Sequence, residues 1–170
     1  MRTLGAILAG GASRRFGSDK ALAMLDGRTL LDHARAALAP HCDAVVIVGR
    51  ADGIADWPRP GMGPLGAIAG ALDHAAAQGF DRLLSAPVDC VRLPTDLAAL
   101  LSPAPAFLDS QPVIGLWPIA ALDDLRAMLE ADGDLAMRAF ARRIGARAVP
   151  CDFAPPNINS VEDLERLTKG

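Results

Sequence analysis

Thr3-Leu4-Gly5-Ala6-Ile7-Leu8-Ala9-Gly10-Gly11-Ala12-Ser13-Arg14-Arg15-Phe16-Gly17-Ser18-Asp19-Lys20 carries the first strand and the first loop of this chain, and the rest of the fold is read outward from it. Thr3 to Leu8 is a short apolar run closed by Gly10-Gly11, as expected of a strand covered on both faces in a parallel sheet. The apolar run reaches only Ala9 before two glycines and two arginines, so it reads as a buried strand and not as a secretory signal. Downstream, Leu30, Leu31, Ala34, Ala37 and Leu38 fall on one helical face, and Pro40 stops that helix. Ala44 to Gly49 is a second buried strand, and a loop rich in Gly, Asp and Pro runs from Arg50 to Gly63. A helix of small residues is expected from about Pro64 to Ala77. Arg82 to Ala86 is a third strand, ending at Pro87-Val88-Asp89.

The second half continues the alternation. Pro94, with Thr95 and Asp96, opens a helix through Leu101, and a Pro-rich loop leads to a strand from Val113 to Trp117. A helix then carries Leu122, Leu125, Met128 and Leu129 on one side. Asp134 is placed to cap a further helix bearing Leu135 and Phe140. Ala146 to Val149 is a late strand, and Ser160-Val161-Glu162-Asp163 has the form of a capping box before the closing helix. Strands alternating with helices over short connections imply an α/β fold, a three-layer sandwich around a predominantly parallel sheet of Rossmann-like kind. Ligands bind beyond the carboxyl ends of such strands, so the loops after the first three strands are where chemistry is sought.

Composition sets the outer limits. The chain has 170 residues with 51% hydrophobic and 22% charged, which suits one packed domain spanning 1–170 rather than a disordered segment. Aromatics make up 4%, with no Tyr, so the core is built from Ala, Leu, Ile and Val. A formal charge of -3 lacks the footprint of a nucleic-acid binder. Nothing approaches a membrane span of roughly 18 apolar residues. Cys42, Cys90 and Cys151 are odd in number and form no CxxC pair, which favours neither a disulfide framework nor a zinc site and fits a reducing cytoplasm.

Two features carry chemistry. In the first loop, glycines without a Cβ let backbone N–H groups approach phosphate oxygens, while Arg15 and Lys20 supply positive charge. The loop is neither a P-loop, which needs Gly-Lys-Ser/Thr after four spacers, nor a GxGxxG turn. On its own it is also readable as a glycine-rich turn flanked by solvated charges. Asp89, at the carboxyl end of the third strand, is a candidate magnesium ligand, since Mg²⁺ keeps most of its waters and borrows oxygens from substrate phosphates. The plainer role is a loop-closing carboxylate. Together the two favour metal-assisted phosphoryl chemistry, which requires both. His33, His41 and His74 lie on or beside helices and read as structural, and Cys90 reads as a small apolar filler.

Leu8-Ala9-Gly10-Gly11 with Ser13-Arg14-Arg15-Phe16-Gly17-Ser18-Asp19-Lys20-Ala21-Leu22, followed by Leu25-Asp26-Gly27-Arg28-Thr29-Leu30-Leu31, resembles the signature of the molybdenum cofactor guanylyltransferases of the nucleotidyltransferase superfamily. Gly63-Pro64-Leu65-Gly66, Pro87-Val88-Asp89 with Leu93-Pro94, and Asn157-Ile158-Asn159-Ser160-Val161-Glu162-Asp163-Leu164 resemble its other segments, in the same order along the chain. The resemblance implies a nucleotidyltransferase fold with a nucleotide-binding part over about 1–100 and an acceptor-binding part over about 101–170. It implies transfer of GMP from GTP to molybdenum-molybdopterin, with Mg²⁺ as cofactor. Carried over by position, Leu8, Ala9, Gly10, Gly11 and Asp56 would contact the nucleotide, Lys20 and Arg15 its phosphates, and Asp89 the nucleotide and the metal. Asn157 and Asn159 would lie toward the acceptor.

Three departures from the pattern stand out: one residue fewer between Arg15 and Lys20, Ile47 where an Asn is common, and a shortened segment between Leu108 and Val113. Other readings are a molybdopterin cytidylyltransferase or another nucleotidyltransferase, and a noncatalytic nucleotide- or cofactor-binding protein. Gly10-Gly11 in place of Ala-Gly favours the guanylyl reading, and Lys20 with Asp89 favours catalysis. The expected partners are transient, the proteins that deliver and receive the cofactor, and the domain itself is expected to be a monomer.

Overall fold

The computed structural model describes residues 1–11, 19–154, 156, 158 and 160–169. Strands β1 (Thr3–Leu8), β4 (Ala44–Val48) and β5 (Arg82–Pro87) form the three anticipated parallel strands, with β1 between the other two. Strands β6 (Ala106–Leu108), β7 (Gln111–Pro118) and β8 (Arg147–Val149) complete a six-stranded sheet in the order β4-β1-β5-β7-β6-β8. β7 runs antiparallel to both of its neighbours, β5 and β6, and β8 is parallel to β6. The sheet is therefore parallel except for one reversed strand, consistent with the expected three-layer α/β class.

Each face of the sheet is covered. β1 sends Leu4, Ala6 and Leu8 into a cluster with α2 (Gly63–Ala77), α4 (Leu122–Glu130) and α5 (Met137–Arg143). Ile7 points the other way, toward α1 (Leu30–Leu38) and the short α3 (Leu97–Leu100). This period of two, with both faces apolar, is why the strand reads as an unbroken hydrophobic run. α1 buries Leu30, Ala34 and Leu38, and Thr29 caps it by accepting from the N–H of Asp32 at 3.0 Å. α4 buries Leu122, Leu125 and Leu129 as the pattern predicts. The closing helix, α6 (Val161–Thr168), begins with the anticipated capping box between Ser160 and Asp163.

Four local readings differ. The helix expected from Pro94 is only the single turn Leu97–Leu100. Asp134 accepts from the N–H of Ala136 at 2.9 Å, one step before the helix, so Leu135 lies outside α5 and is exposed. β6 lies inside what reads as a Pro-rich loop; three residues between prolines carry no pattern of their own, and pairing with β7 and β8 makes the strand. A two-stranded ribbon, β2 (Met24–Leu25) with β3 (Arg28–Thr29), turns at Asp26-Gly27, a preferred pair for a two-residue hairpin and a signal that could have revealed it.

Beneath the sheet's centre, Ser85 accepts a hydrogen bond from the indole N–H of Trp117 at 2.8 Å and donates to the carbonyl of Val113 at 2.6 Å. That leaves no orphan on this buried pair. α2 lies close against the loop after β4, because an added Cβ at Gly70 would come within 2.1 Å of the Ala55 carbonyl oxygen. Gly70→Ala must push that loop away, and we expect it to destabilise the protein by about 1–3 kcal/mol. Urea denaturation checks this, and an unchanged midpoint would show that the contact is not tight.

Candidate active site

The carboxyl ends of the three parallel strands lie level. Leu8 stands opposite Val48 on one side and Pro87 on the other. The chains leaving them meet at once: Ala9 N–H donates to the Val48 carbonyl at 2.9 Å, and Val88 N–H donates to the Leu8 carbonyl at 3.1 Å. Gly49 adopts φ +86°, and a Cβ there would lie 2.7 Å from Gly10 Cα. Only glycine permits both that conformation and that approach, so the loops after β1 and β4 touch backbone to backbone.

Above this edge is a cavity of about 430 Å³ lined by Leu8, Gly10, Gly11, Asp56, Gly61, Gly63, Pro64, Ala67, Pro87 and Val113. A second, of about 390 Å³, shares Gly10, Gly11, Asp56 and Gly61 and extends to Gly49 and Arg50. Walls of glycine and proline leave backbone groups open to a ligand, and the size suits a small-molecule site.

Lys20, beyond the first strand, and Asp89, beyond the third, meet at the carboxyl edge of the sheet. Lys20 opens a single 3-10 turn, Lys20–Leu22, capped by Asp19. Its Nζ donates to Asp89 Oδ2 at 3.1 Å, and the side chains are only 17% and 15% exposed. This pair is screened far less than a surface ion pair. The turn after β5 fixes Asp89 through Val88 to Leu8 and through the Cys90 N–H to the Pro87 carbonyl at 3.0 Å. Cys90 is buried behind it, and burial pushes its thiol up to about 12, so it is a filler and not a nucleophile.

Asp56 is held differently. Trp57 N–H donates to the Gly66 carbonyl at 3.0 Å, tying its loop to α2. Asp56 Oδ1 is buried and finds no hydrogen-bond donor among the described residues. Burial raises the carboxyl above its ordinary value, with the Gly61 and Met62 N–H groups pulling it back. Asp56 lines both cavities, and a buried acceptor without a donor among the described residues is rare.

Among the other sequence candidates, Leu8, Gly10 and Gly11 line the cavity, and Ala9 lies between them. Arg15, Asn157 and Asn159 lie outside the described residues. His33 Nε2 is 2.6 Å from the Leu25 carbonyl oxygen, in keeping with a structural role. Sequence reasoning passed over Arg50 and Asp19, although Arg50 follows the second strand at the same carboxyl edge that singled out Asp89. Among the described residues no group of three or more His, Cys, Asp and Glu could cage a metal. Asp89 alone suits an ion that is completed by water and substrate oxygens. No helix among them is long and apolar enough to cross a membrane.

The profile of the MobA-like NTP transferase domain matches residues 5–149. A molybdenum cofactor guanylyltransferase of Acidiphilium cryptum (strain JF-5) is 41% identical over 182 residues, covering 96% of this chain and 93% of that one. Another from Rhodobacter capsulatus is 39% identical, covering 98% and 95%. In solved structures, the molybdopterin-guanine dinucleotide biosynthesis protein A of Archaeoglobus fulgidus superposes with TM-score 0.77 at 21% identity, covering 98% and 97%. The sheet, the cavity at its carboxyl edge and these matches define a nucleotidyltransferase. Within that class the chain belongs to the MobA-like NTP transferase family, and molybdenum cofactor guanylyltransferases are its near full-length relatives.

Proposed function

We propose that this enzyme transfers GMP from GTP to molybdenum-molybdopterin, forming the guanine dinucleotide cofactor and pyrophosphate. The observation that carries the reading is the Lys20–Asp89 pair, 3.1 Å apart, in the loops that follow the first and third parallel strands. The terminal phosphate of molybdopterin attacks the α-phosphorus of GTP. A new P–O bond forms there as the bond to the bridging oxygen breaks, and pyrophosphate departs with that electron pair. The nucleophile is already anionic, so no general base is required. The work is orientation and charge stabilisation.

Lys20 and the N–H groups of Gly10 and Gly11 meet phosphate oxygens, with Arg15 adding charge from the same loop. Asp89 would hold Mg²⁺, which supplies Lewis-acid charge neutralisation on those oxygens when bound. Lys20 and Asp89 neutralise each other, which keeps both charges inside a partly buried site. Asn157 and Asn159 serve the acceptor side.

Asp56 favours guanine. Its buried oxygen, without a donor among the described residues, calls for donors, and guanine offers N1–H and N2–H₂ side by side on one edge where cytosine and adenine offer a single amino group. With molybdenum-loaded molybdopterin and Mg²⁺, we expect pyrophosphate release from GTP to exceed that from CTP or ATP by at least about 100-fold, the scale on which an unpaired buried polar group discriminates. Equal turnover of CTP would restore the cytidylyl reading. Binding of GTP with no pyrophosphate formed would restore the noncatalytic one. The reading includes a monomer acting in the cytoplasm, with transient contacts to cofactor-delivering and cofactor-accepting proteins and none to nucleic acid or membrane.

A further inference from the structure

We propose that Arg50 is a positioning residue that sets the place of Lys20 through a two-pronged ion pair with Asp19. The inference rests on the reading that Lys20 meets the nucleotide's phosphates.

Arg50 leaves the end of β4 directly after Gly49. Its Nη2 lies 2.8 Å from Asp19 Oδ2, and its Nη1 donates to Asp19 Oδ1 at 3.0 Å. Asp19 Oδ1 also accepts from the N–H of Ala21 at 3.2 Å, which caps the 3-10 turn carrying Lys20. One carboxylate is therefore shared between the exit of the second strand and the turn that presents the phosphate-facing lysine. A shift of Asp19 moves that turn, and with it the Lys20 ammonium relative to Asp89.

The same strand end holds the other flank of the first loop. Ala9 N–H donates to Val48, and Gly10 packs on the backbone of Gly49. Val48, Gly49 and Arg50 thus fix residues 9 and 10 on one side and residue 19 on the other. A planar guanidinium matches both oxygens of a carboxylate, and an ammonium does not. The Arg50 hydrogen bond holds the Asp19 carboxyl below its ordinary value, in keeping with a maintained pair. Asp19 is 44% exposed, so the pair adds little to fold stability. Its leverage is geometric, because small misplacements of a charge at a phosphoryl site are costly in rate. Arg50 also lines the 390 Å³ cavity beside Asp56 and Gly61, so the clasp is built into the wall of the site.

The test is steady-state kinetics and equilibrium GTP binding on the full chain carrying Arg50→Ala, Arg50→Lys, Asp19→Asn, Lys20→Ala, and Lys20→Ala combined with Arg50→Ala. We expect Arg50→Ala and Asp19→Asn each to lower kcat about tenfold, with KM for GTP within about threefold of wild type. Arg50→Lys should recover less than half of the loss, since it makes a single bond. The double variant should be no slower than Lys20→Ala alone, because Arg50 acts through Lys20. Multiplicative losses in the double variant overturn the proposal, as does a normal Arg50→Ala beside an impaired Lys20→Ala. Unaltered turnover in Lys20→Ala overturns the reading of Lys20 and the proposal with it. Should an alanine variant fail to fold, Arg50→Lys and Asp19→Asn carry the comparison.

Discussion

Replacing Asp89 by Asn is expected to abolish Mg²⁺-dependent turnover, by about 10³-fold or more, while the thermal midpoint stays within a few degrees of wild type. The size follows from the placement of the carboxylate. Asp89 is anchored through Val88 to the end of β1, and no group of three or more His, Cys, Asp and Glu among the described residues could hold a metal. On the proposed reading, loss of its charge would remove the protein's own hold on the ion, and a metal contribution to transition-state charge of several kcal/mol would go with it. Asn is nearly isosteric and can still accept from Lys20, so the fold has little reason to respond. The measurement is pyrophosphate release against Mg²⁺ concentration, with circular dichroism as the folding control. If Asp89 merely neutralised Lys20, the Asn variant would keep its turnover within a fewfold and its Mg²⁺ dependence unchanged, and the metal role would be withdrawn.

Lys20→Ala is expected to lose about 2–4 kcal/mol of transition-state stabilisation, roughly 30- to 1,000-fold in kcat, the range for one electrostatic contributor at a site of developing charge. Its side chain is 17% exposed and sits on a capped turn, so in the proposed reaction it would reach the phosphates from a fixed base. Lys20→Arg should restore little. The flat guanidinium is larger than the point charge it replaces, and the Asp89 carboxylate lies 3.1 Å from the present Nζ. Single-turnover measurement separates the possibilities. A rise in KM for GTP with kcat intact would make Lys20 a binding residue that stabilises ground state and transition state equally.

The strand ends of the candidate site are legible in the sequence because each is a local pattern. Leu8 to Gly11 is one strand end, Pro87 to Asp89 another, and the rule that parallel sheets bind ligands at their carboxyl edge ties them together. The capping box at Ser160 and the buried face of α4 are likewise local patterns and were read correctly. The readings that slipped depend on partners remote in sequence. β6 becomes a strand only between β7 and β8, and the helix after Pro94 shrinks to one turn. Nothing local marks Arg50, because its partner, Asp19, is 31 residues away.

From the residues alone came the class of fold, the three strand ends where chemistry is sought, and the family signature. These are written in hydrophobic period, glycine placement and motif order, which need no knowledge of distant contacts. The tertiary structure decided the rest: that Lys20 and Asp89 pair across the sheet's edge, that Asp56 lines the cavity with a buried oxygen that has no donor among the described residues, and that Arg50 clasps Asp19. Charges interact over a few ångströms of space regardless of their separation along the chain, so which of the 17 basic and 20 acidic residues act together is settled only when the sheet brings their loops to one edge.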